Sequence, residues 1–304
     1  MVLVSIIIPC YNVENYIEEC VDSALKQTYK NIEIICIDNN STDNTYALLL
    51  DIQKKYPNIK VDREVRSGAC AARNKGLSLV QGDWIQFLDA DDLLIPNKIE
   101  HQVELASRSE CAFVAGAYKK RNVKGTEIDS ILLNENKYLA PFLNQCGITS
   151  SNLWQKEGLD IVSGWNNNLK SSQETDLMFK LIKQGFDYII DTSALTIIRE
   201  RETGQISQRN PVEKWEQYID IRLDYIEYLK RFKEEEYLGV KNIMYDFLMV
   251  SIITLSKFDK TSAIDIYNKK IKTVWKTSCS YGFTKLKYYL IKLIGLRVVL
   301  SYFK

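Results

Sequence analysis

Asp83-Trp84-Ile85-Gln86-Phe87-Leu88-Asp89-Ala90-Asp91-Asp92 is the stretch that decides how this chain folds. Its apolar half reads as a buried strand, and the strand breaks off in three carboxylates within four residues. Open α/β sheets place their ligands at such an edge. Asp89 and Asp91 stand two apart, so at a strand end both side chains can turn toward one crevice. Carboxylates this close repel one another unless a cation sits among them, and a hard divalent ion that also bridges to a diphosphate answers that need with oxygen ligands alone. A polar turn ahead of a helix, with Pro96 near the first helical position, is the plainer reading of the same residues. The strand before the cluster and the pattern on both sides of it favour the functional one.

Upstream, Leu3 to Ile8 is a nearly continuous β-branched run, as expected of a parallel strand covered on both faces. It ends at the turn Pro9-Cys10-Tyr11-Asn12, after which Ile17, Val21 and Leu25 recur every four residues as in an amphipathic helix. Glu33 to Ile37 is a second strand, closing in Asp38-Asn39-Asn40-Ser41-Thr42-Asp43, which supplies a carboxylate and a Ser/Thr cap for a helix to Tyr56. This is the βαβ pattern of a parallel sheet with right-handed crossovers. No Gly-x-Gly-x-x-Gly follows either strand, so phosphates bound here must be met by a metal and by cations. Residues 58–62 read as a third strand. Arg66-Ser67-Gly68 then opens a helix dense in small residues, Ala69 to Leu77, and Gly82 closes it. Arg73 on that helix suits a phosphate or the Asp89–Asp92 cluster.

Downstream, Ile99, Val103 and Ala106 mark a helix, and Ala112 to Tyr118 another strand. His101, the only histidine, is assigned to packing or surface, which excludes a zinc hydrolase and a histidine-based triad. Residues 119–148 show no period and read as an irregular excursion. Thr149 to Trp154 and Val162 to Asn166 read as loop and edge, with tryptophans that either pack or stack on a sugar. In Ser171 to Leu181, Leu177 and Leu181 lie on one helical face while Glu174 and Asp176 occupy the first turn, where the helix dipole favours anions. Apolar stretches at 186–191 and 194–198 lead to Arg199-Glu200-Arg201.

With 304 residues, 46% of them apolar, the chain can bury a large core, and we expect one α/β domain over 1–210 plus a helical extension over 211–304. The N-terminal apolar run is too short for a secretion signal, and seven cysteines without paired spacing suit a reducing cytoplasm. Cys10 is assigned to the core. Residues 266–304 hold nine Lys/Arg and no Asp/Glu, leaving 31 basic against 39 acidic side chains before them. A basic tail on an acidic body points to an anionic surface for the tail alone, and the acidic body argues against nucleic acid as a partner. Long helical patterns run over 212–238 and 240–257. Phe247 to Ser256 is too short to span a bilayer, as is Tyr288 to Phe303 with Lys292 and Arg297 inside it. Leu286, Leu290 and Leu293 can line one face of a tail helix and Lys285 and Lys292 another, the pattern of a segment lying on anionic lipid. Completion of the domain, an acceptor site and a homodimer contact are the other uses open to these helices.

Ser5 to Asn12, Ile37 to Asp43, Gly68 to Gly76, Asp89 to Asp92 and Gln173 to Leu177 follow one another in the order seen in family 2 of the glycosyltransferases, and the chain resembles that family over about residues 3–207. The resemblance implies the glycosyltransferase A-type fold, a single nucleotide-binding α/β/α domain with a mostly parallel sheet. It also implies transfer of a sugar, with inversion, from a nucleotide-diphosphate sugar, commonly UDP-linked, to a glycan or lipid-linked acceptor in bacterial surface polysaccharide synthesis. That work is done in the cytoplasm, at the inner face of the plasma membrane. By position, Pro9 and Tyr11 lie beside the nucleobase and Asp38 recognises it. Arg73 lies near the diphosphate, Asp89 near the ribose and the metal, and Asp91 on Mn2+ or Mg2+. Asp92 shapes the acceptor side of the catalytic site, Glu174 is the catalytic base, and Arg199 and Arg201 bind diphosphate. Three positions depart from the family pattern. Asp38-Asn39-Asn40 replaces Asp-Asp-Gly, Gln173-Glu174 replaces Glu-Asp so that the base is one methylene longer, and Arg199-Glu200-Arg201 replaces Arg-x-His with a permanent cation. The alternative is a sugar-phosphate nucleotidyltransferase, whose glycine- and lysine-rich N-terminal phosphate loop is not what Pro9 to Asn12 spells.

Overall fold

Val4, Ser5, Ile6, Ile7 and Ile8 are all shut away from solvent, as a strand covered on both faces must be. A computed structural model describes residues 2–130, 136–201, 210–282 and 284–302. The chain divides into two compact units. One comprises Met1–Ala140, Asn144–Asn168 and Gln173–Gly204, the other Pro141–Leu143, Leu169–Ser172 and Gln205–Lys304.

The first unit runs β1 (Val4–Cys10), α1 (Ile17–Leu25), β2 (Ile32–Asp38), α2 (Thr45–Lys55), β3 (Ile59–Arg63), α3 (Ala69–Leu77), β4 (Trp84–Phe87), β5 (Leu93–Leu94), α4 (Lys98–Ala106), β6 (Phe113–Gly116), β7 (Lys119–Arg121) and β8 (Glu127–Asp129). After the short α5 (Leu139–Phe142) come β9 (Leu153–Gln155), α6 (Lys156–Ile161), α7 (Gln173–Lys183), β10 (Tyr188–Asp191) and β11 (Thr196–Arg199). Seven strands form the main sheet in the order β10-β6-β9-β4-β1-β2-β3, parallel except for β9, which pairs antiparallel with both β4 and β6. Leu153-Trp154 is therefore an interior strand and not the expected edge.

Alternate residues of β1 serve opposite faces. Ile6 and Ile8 join Ile17, Val21, Leu49 and Ile99 from α1, α2 and α4, while Ile7 joins Ile85, Phe87, Leu177 and Leu181 on the α7 side. Each such side chain contributes about 1.5–3 kcal/mol by leaving water. The small residues of α3 have a specific use. A Cβ at position 76 would come within 2.4 Å of Ile7 Cγ2, so glycine there lets α3 lie directly on β1.

A second sheet, β5-β11-β7-β8, occupies part of the region read as irregular. Its β7–β8 hairpin pairs Lys119 with Asp129 and Arg121 with Glu127 around the Asn122–Gly125 turn. Residues 131–135 and 202–209 lie outside the described residues, and with them Glu202 to Ser207, the end of the stretch covered by the resemblance.

In the second unit, α8 (Pro211–Phe232) and α9 (Glu234–Leu255) form a helical hairpin joined at Lys233, followed by α10 (Lys260–Ile266), one turn of π-helix (Tyr267–Ile271), α11 (Lys285–Ile294) and α12 (Leu296–Tyr302). Pro211 at the first helical position suits the start of α8. At 22 residues, with an 18-residue window of mean hydropathy 1.4, α9 is long and apolar enough to cross a membrane by length and composition. The expectation of too short a segment missed that length. Half of that window is buried within the fold, however. In the middle of α9 the buried Asp246 accepts hydrogen bonds from Trp275 Nε1 at 2.8 Å, Ser278 N at 2.8 Å and Ser278 Oγ at 2.7 Å. A carboxylate so enclosed marks a packing helix, and it ties residues 275–280 to α9.

Candidate active site

Between β1 and β4 the sheet changes direction of growth, with β2 and β3 on one side and β9 on the other. Ile7 pairs with Phe87, and Leu88 N donates to Ile7 O at 2.9 Å. The Asp89–Asp92 cluster therefore leaves the sheet beside the end of β1, at the carboxyl edge of a topological switch point.

Each acid of the cluster has its own partner. Asp89 Oδ1 meets Arg73 Nη2 at 2.7 Å and Asp91 Oδ2 meets Arg201 Nε at 2.6 Å. Asp92 Oδ2 accepts from Ser150 Oγ at 2.7 Å and its Oδ1 from Arg199 N at 3.2 Å. The Asp89 and Asp91 side chains remain 36% and 23% exposed, whereas Asp92 is buried. Burial, and then the charge on Asp89, push the Asp91 carboxyl above its ordinary value against the pull of Arg201. Asp92, more deeply enclosed and facing Asp91 and Asp89, is raised well above it. Of the three, Asp89 and Asp91 are the carboxylates a ligand can reach, and Asp92 joins the cluster to β11 and to the Ser150 turn.

Antiparallel pairing of β11 with β5 carries Arg199 and Arg201 to this edge. Arg199 donates from Nε to Asp91 O and pairs through Nη1 with Glu19, while Arg201 reaches the Asp91 carboxylate. Both guanidinium groups lie over the Tyr16 ring, at 5.2 and 4.7 Å from its centroid. Arg199 Nη2 is buried without a hydrogen-bond acceptor among the described residues.

Arg73 is buried against the acidic cluster. Nη1 donates to Gln173 Oε1 at 3.0 Å, and the guanidinium lies 4.6 Å from the Trp165 ring centroid. Burial pulls its pKa down, but the Asp89 carboxylate outweighs this and holds the guanidinium charge more firmly than usual. Arg73 thus brackets the acidic cluster to the first residue of α7. The next residue is Glu174, half-buried in the first helical turn, and its charge contributes to raising the pKa values of both Arg73 and Tyr118. Among the described residues nothing donates a hydrogen bond to its carboxylate. Asp176 by contrast is paired with Lys180 at 3.1 Å.

Strand pairing also gathers the residues expected at the base. Cys10 lies opposite Asp38 in register, Tyr11 is exposed, and Asp38 is fully buried, accepting from Arg63 Nε at 3.2 Å and Ser41 N at 3.3 Å. Pro9 sits inside β1. The departure at Asn39 has a local cause. Its amide donates to Glu64 O and Arg66 O, both at 2.8 Å, and its Oδ1 accepts from Gly68 N at 2.7 Å. An aspartate cannot donate. Asn39→Asp is expected to cost about 1–3 kcal/mol in a denaturant titration by setting a carboxylate against two carbonyl oxygens. Unchanged stability would show that these bonds are not needed.

His101 pairs with Asp191 at 3.1 Å, and Cys10 is a buried thiol whose pKa is raised well above its usual range by desolvation. Trp154 stacks on Phe113 at 4.9 Å and Trp165 meets Phe87 edge-on at 5.0 Å, so both tryptophans are core residues. Tyr16 and Ser150 were not singled out as site residues, and Gln173 entered only as the first position of the Gln173–Leu177 motif, without a role. Ser150 left a trace as part of a polar run, Thr149 to Asn152, that is buried throughout.

Asp89 and Asp91 offer hard carboxylate oxygens beside cationic groups, a donor set that suits Mg2+ or Mn2+ completed by phosphate oxygens. Among the described residues no three His, Cys, Asp or Glu side chains converge into a full metal cage, and Asp89 with Asp91 would supply part of a coordination shell.

The sequence profile of glycosyl transferase family 2 matches residues 5–164. An uncharacterised glycosyltransferase of Rickettsia conorii is 32% identical over 287 residues, 90% of this chain and 46% of its own length, so the chain spans about half of that relative. Among solved structures, Staphylococcus aureus TarS 1–349 in complex with UDP-GlcNAc superposes with a TM-score of 0.64 at 18% identity, covering 89% of this chain and 79% of that one. The mannosyltransferase PcManGT of Pyrobaculum calidifontis, solved with GDP-Man and Mn2+, gives a TM-score of 0.61 at 14% identity, covering 98% and 83%. The shared architecture is the glycosyltransferase A-type fold followed by a helical extension.

Proposed function

Because this chain belongs to glycosyl transferase family 2, we propose that it moves a sugar, with inversion, from a nucleotide-diphosphate sugar, UDP-linked, to a hydroxyl of a glycan or lipid-linked acceptor in polysaccharide synthesis. The observation that carries this reading is the pair of accessible carboxylates, Asp89 and Asp91, each facing an arginine at the switch point of the sheet. Acids and cations interleaved at one edge are what a diphosphate with its counterion requires.

In this reading Glu174 takes the proton of the acceptor hydroxyl as the oxygen attacks the anomeric carbon, and the bond to the diphosphate breaks with its electron pair leaving on the diphosphate oxygen. A carboxylate without a hydrogen-bond donor among its described neighbours is suited to that proton. Arg201 is placed to turn from Asp91 to the diphosphate, with Arg199 fixed behind it, and Arg73 holds Asp89 and α7 in mutual register. A divalent ion, Mn2+ or Mg2+, held by Asp91 with Asp89 would neutralise charge on the leaving diphosphate. The UDP-GlcNAc of the TarS complex and the Mn2+ of the PcManGT complex support the choice of ligands. Asp38 with Pro9 and Tyr11 faces the base, Asp92 steadies the acceptor side, and the enzyme works in the cytoplasm at the inner face of the plasma membrane.

A panel of UDP- and GDP-sugars with Mn2+, assayed for release of nucleoside diphosphate, tests the reaction. We expect release from at least one UDP-sugar. Pyrophosphate formation from a nucleoside triphosphate and a sugar 1-phosphate, with no such release, would replace this reading by a nucleotidyltransferase.

A further inference from the structure

The helix α11 (Lys285–Ile294) turns an apolar face outward. Leu293 is 80% exposed, Leu286 69%, Tyr289 57% and Ile294 47%. At 3.6 residues per turn, Leu286, Tyr289, Leu290 and Leu293 form one stripe. The opposite side is the one that packs, through Ile291, while Leu296, Val299 and Leu300 of α12 are also buried. An amphipathic helix in a globular unit ordinarily buries its stripe, and here the stripe is the part left in water.

The charges around that stripe identify its partner. Lys285 and Lys287 flank it on its two sides and both are exposed, as is Arg297 just beyond the helix. Lys292 is held inward, donating to Lys272 O over the rings of Trp275 and Tyr288. No Asp or Glu occurs from 266 to 304 to neutralise this face. Exposed leucines and a tyrosine bordered by lysines match the boundary of an anionic bilayer, where apolar side chains enter the acyl region and ammonium groups meet the headgroups. A soluble acidic partner would account for the lysines and leave the leucines unexplained.

We propose that α11 docks this unit in the plane of an anionic phospholipid surface, through Leu286, Tyr289, Leu293 and Ile294 with Lys285 and Lys287 at the headgroups. The inference does not rest on the transferase reading, and its test contains no nucleotide sugar. The full chain is mixed with vesicles of phosphatidylcholine alone or with phosphatidylglycerol added, and bound protein is measured by flotation. We expect it to float with the anionic vesicles, at least about tenfold more than with the neutral ones, and to be partly released by high salt, which screens the lysines. Leu286→Glu/Leu293→Glu alters only exposed positions, so it should keep the wild-type melting curve and lose flotation. Lys285→Ala/Lys287→Ala should lose the preference for anionic vesicles. Absence of flotation at low salt overturns the proposal, as does equal flotation by the leucine double variant. Concentration-dependent dimers in sedimentation, abolished by the leucine substitutions in a protein that binds no vesicles, would assign the face to a second copy instead.

Discussion

Glu174→Gln is expected to lower turnover at least about 100-fold while leaving donor affinity nearly unchanged, the usual scale for loss of a general base. The amide keeps the shape of the side chain and removes its ability to take a proton. Glu174 sits in the first turn of α7 without a hydrogen-bond donor among its described neighbours, so the substitution breaks no hydrogen bond among the described residues. Separate measurement of kcat and of donor binding distinguishes this from a positional effect. Near-normal transfer by the variant would move the base to another carboxylate. Asp176 is already committed to Lys180 and Asp92 is buried, so neither is as well placed.

Arg73→Ala should have an effect of similar size by a different route. The guanidinium joins Asp89, Gln173 and the face of Trp165, and so sets the acidic cluster relative to the residue that precedes Glu174. Small misplacements of reacting groups cost about 100-fold in rate. We expect kcat to fall by about that factor, with a lower melting temperature because a buried charged network is lost. Arg73→Lys keeps the charge without the planar fork and should fall between the two. If Arg73→Ala melted lower but turned over normally, the bracket would be structural only.

The elements legible in the sequence are those whose pattern is local. The runs at β1, β2 and β4 show because strands covered on both faces admit little but apolar residues, and Asp89 to Asp92 shows because three acids at the end of such a strand are costly unless used. Arg73 could be suspected from its helix of small residues, but its partners lie 16 and 100 residues away, and no local period encodes them. Tyr16 came together with Arg199 and Arg201 only through the pairing of β11 with β5. The β7–β8 hairpin escaped because its strands are three residues each, Lys119-Lys120-Arg121 with no apolar residue and Glu127-Ile128-Asp129 with one, too short to show a period. β9, also three residues long, looked like loop because the polar run before it is buried by hydrogen bonds such as Gln86 Nε2 to Ser150 O at 2.8 Å. In the tail, the spacing of Leu286 and Leu293 was visible, but only the structure shows which side of α11 is left outside.

The central claim is that the Asp89–Asp92 edge binds a nucleotide diphosphate together with a divalent cation. Calorimetric titration of UDP into the wild-type protein and into Asp91→Ala, each with and without Mn2+, tests it most directly. The account predicts that Mn2+ strengthens binding to the wild type and that Asp91→Ala, melting as the wild type does, loses that enhancement. Equal affinities in all four titrations, or no binding in any, would contradict it.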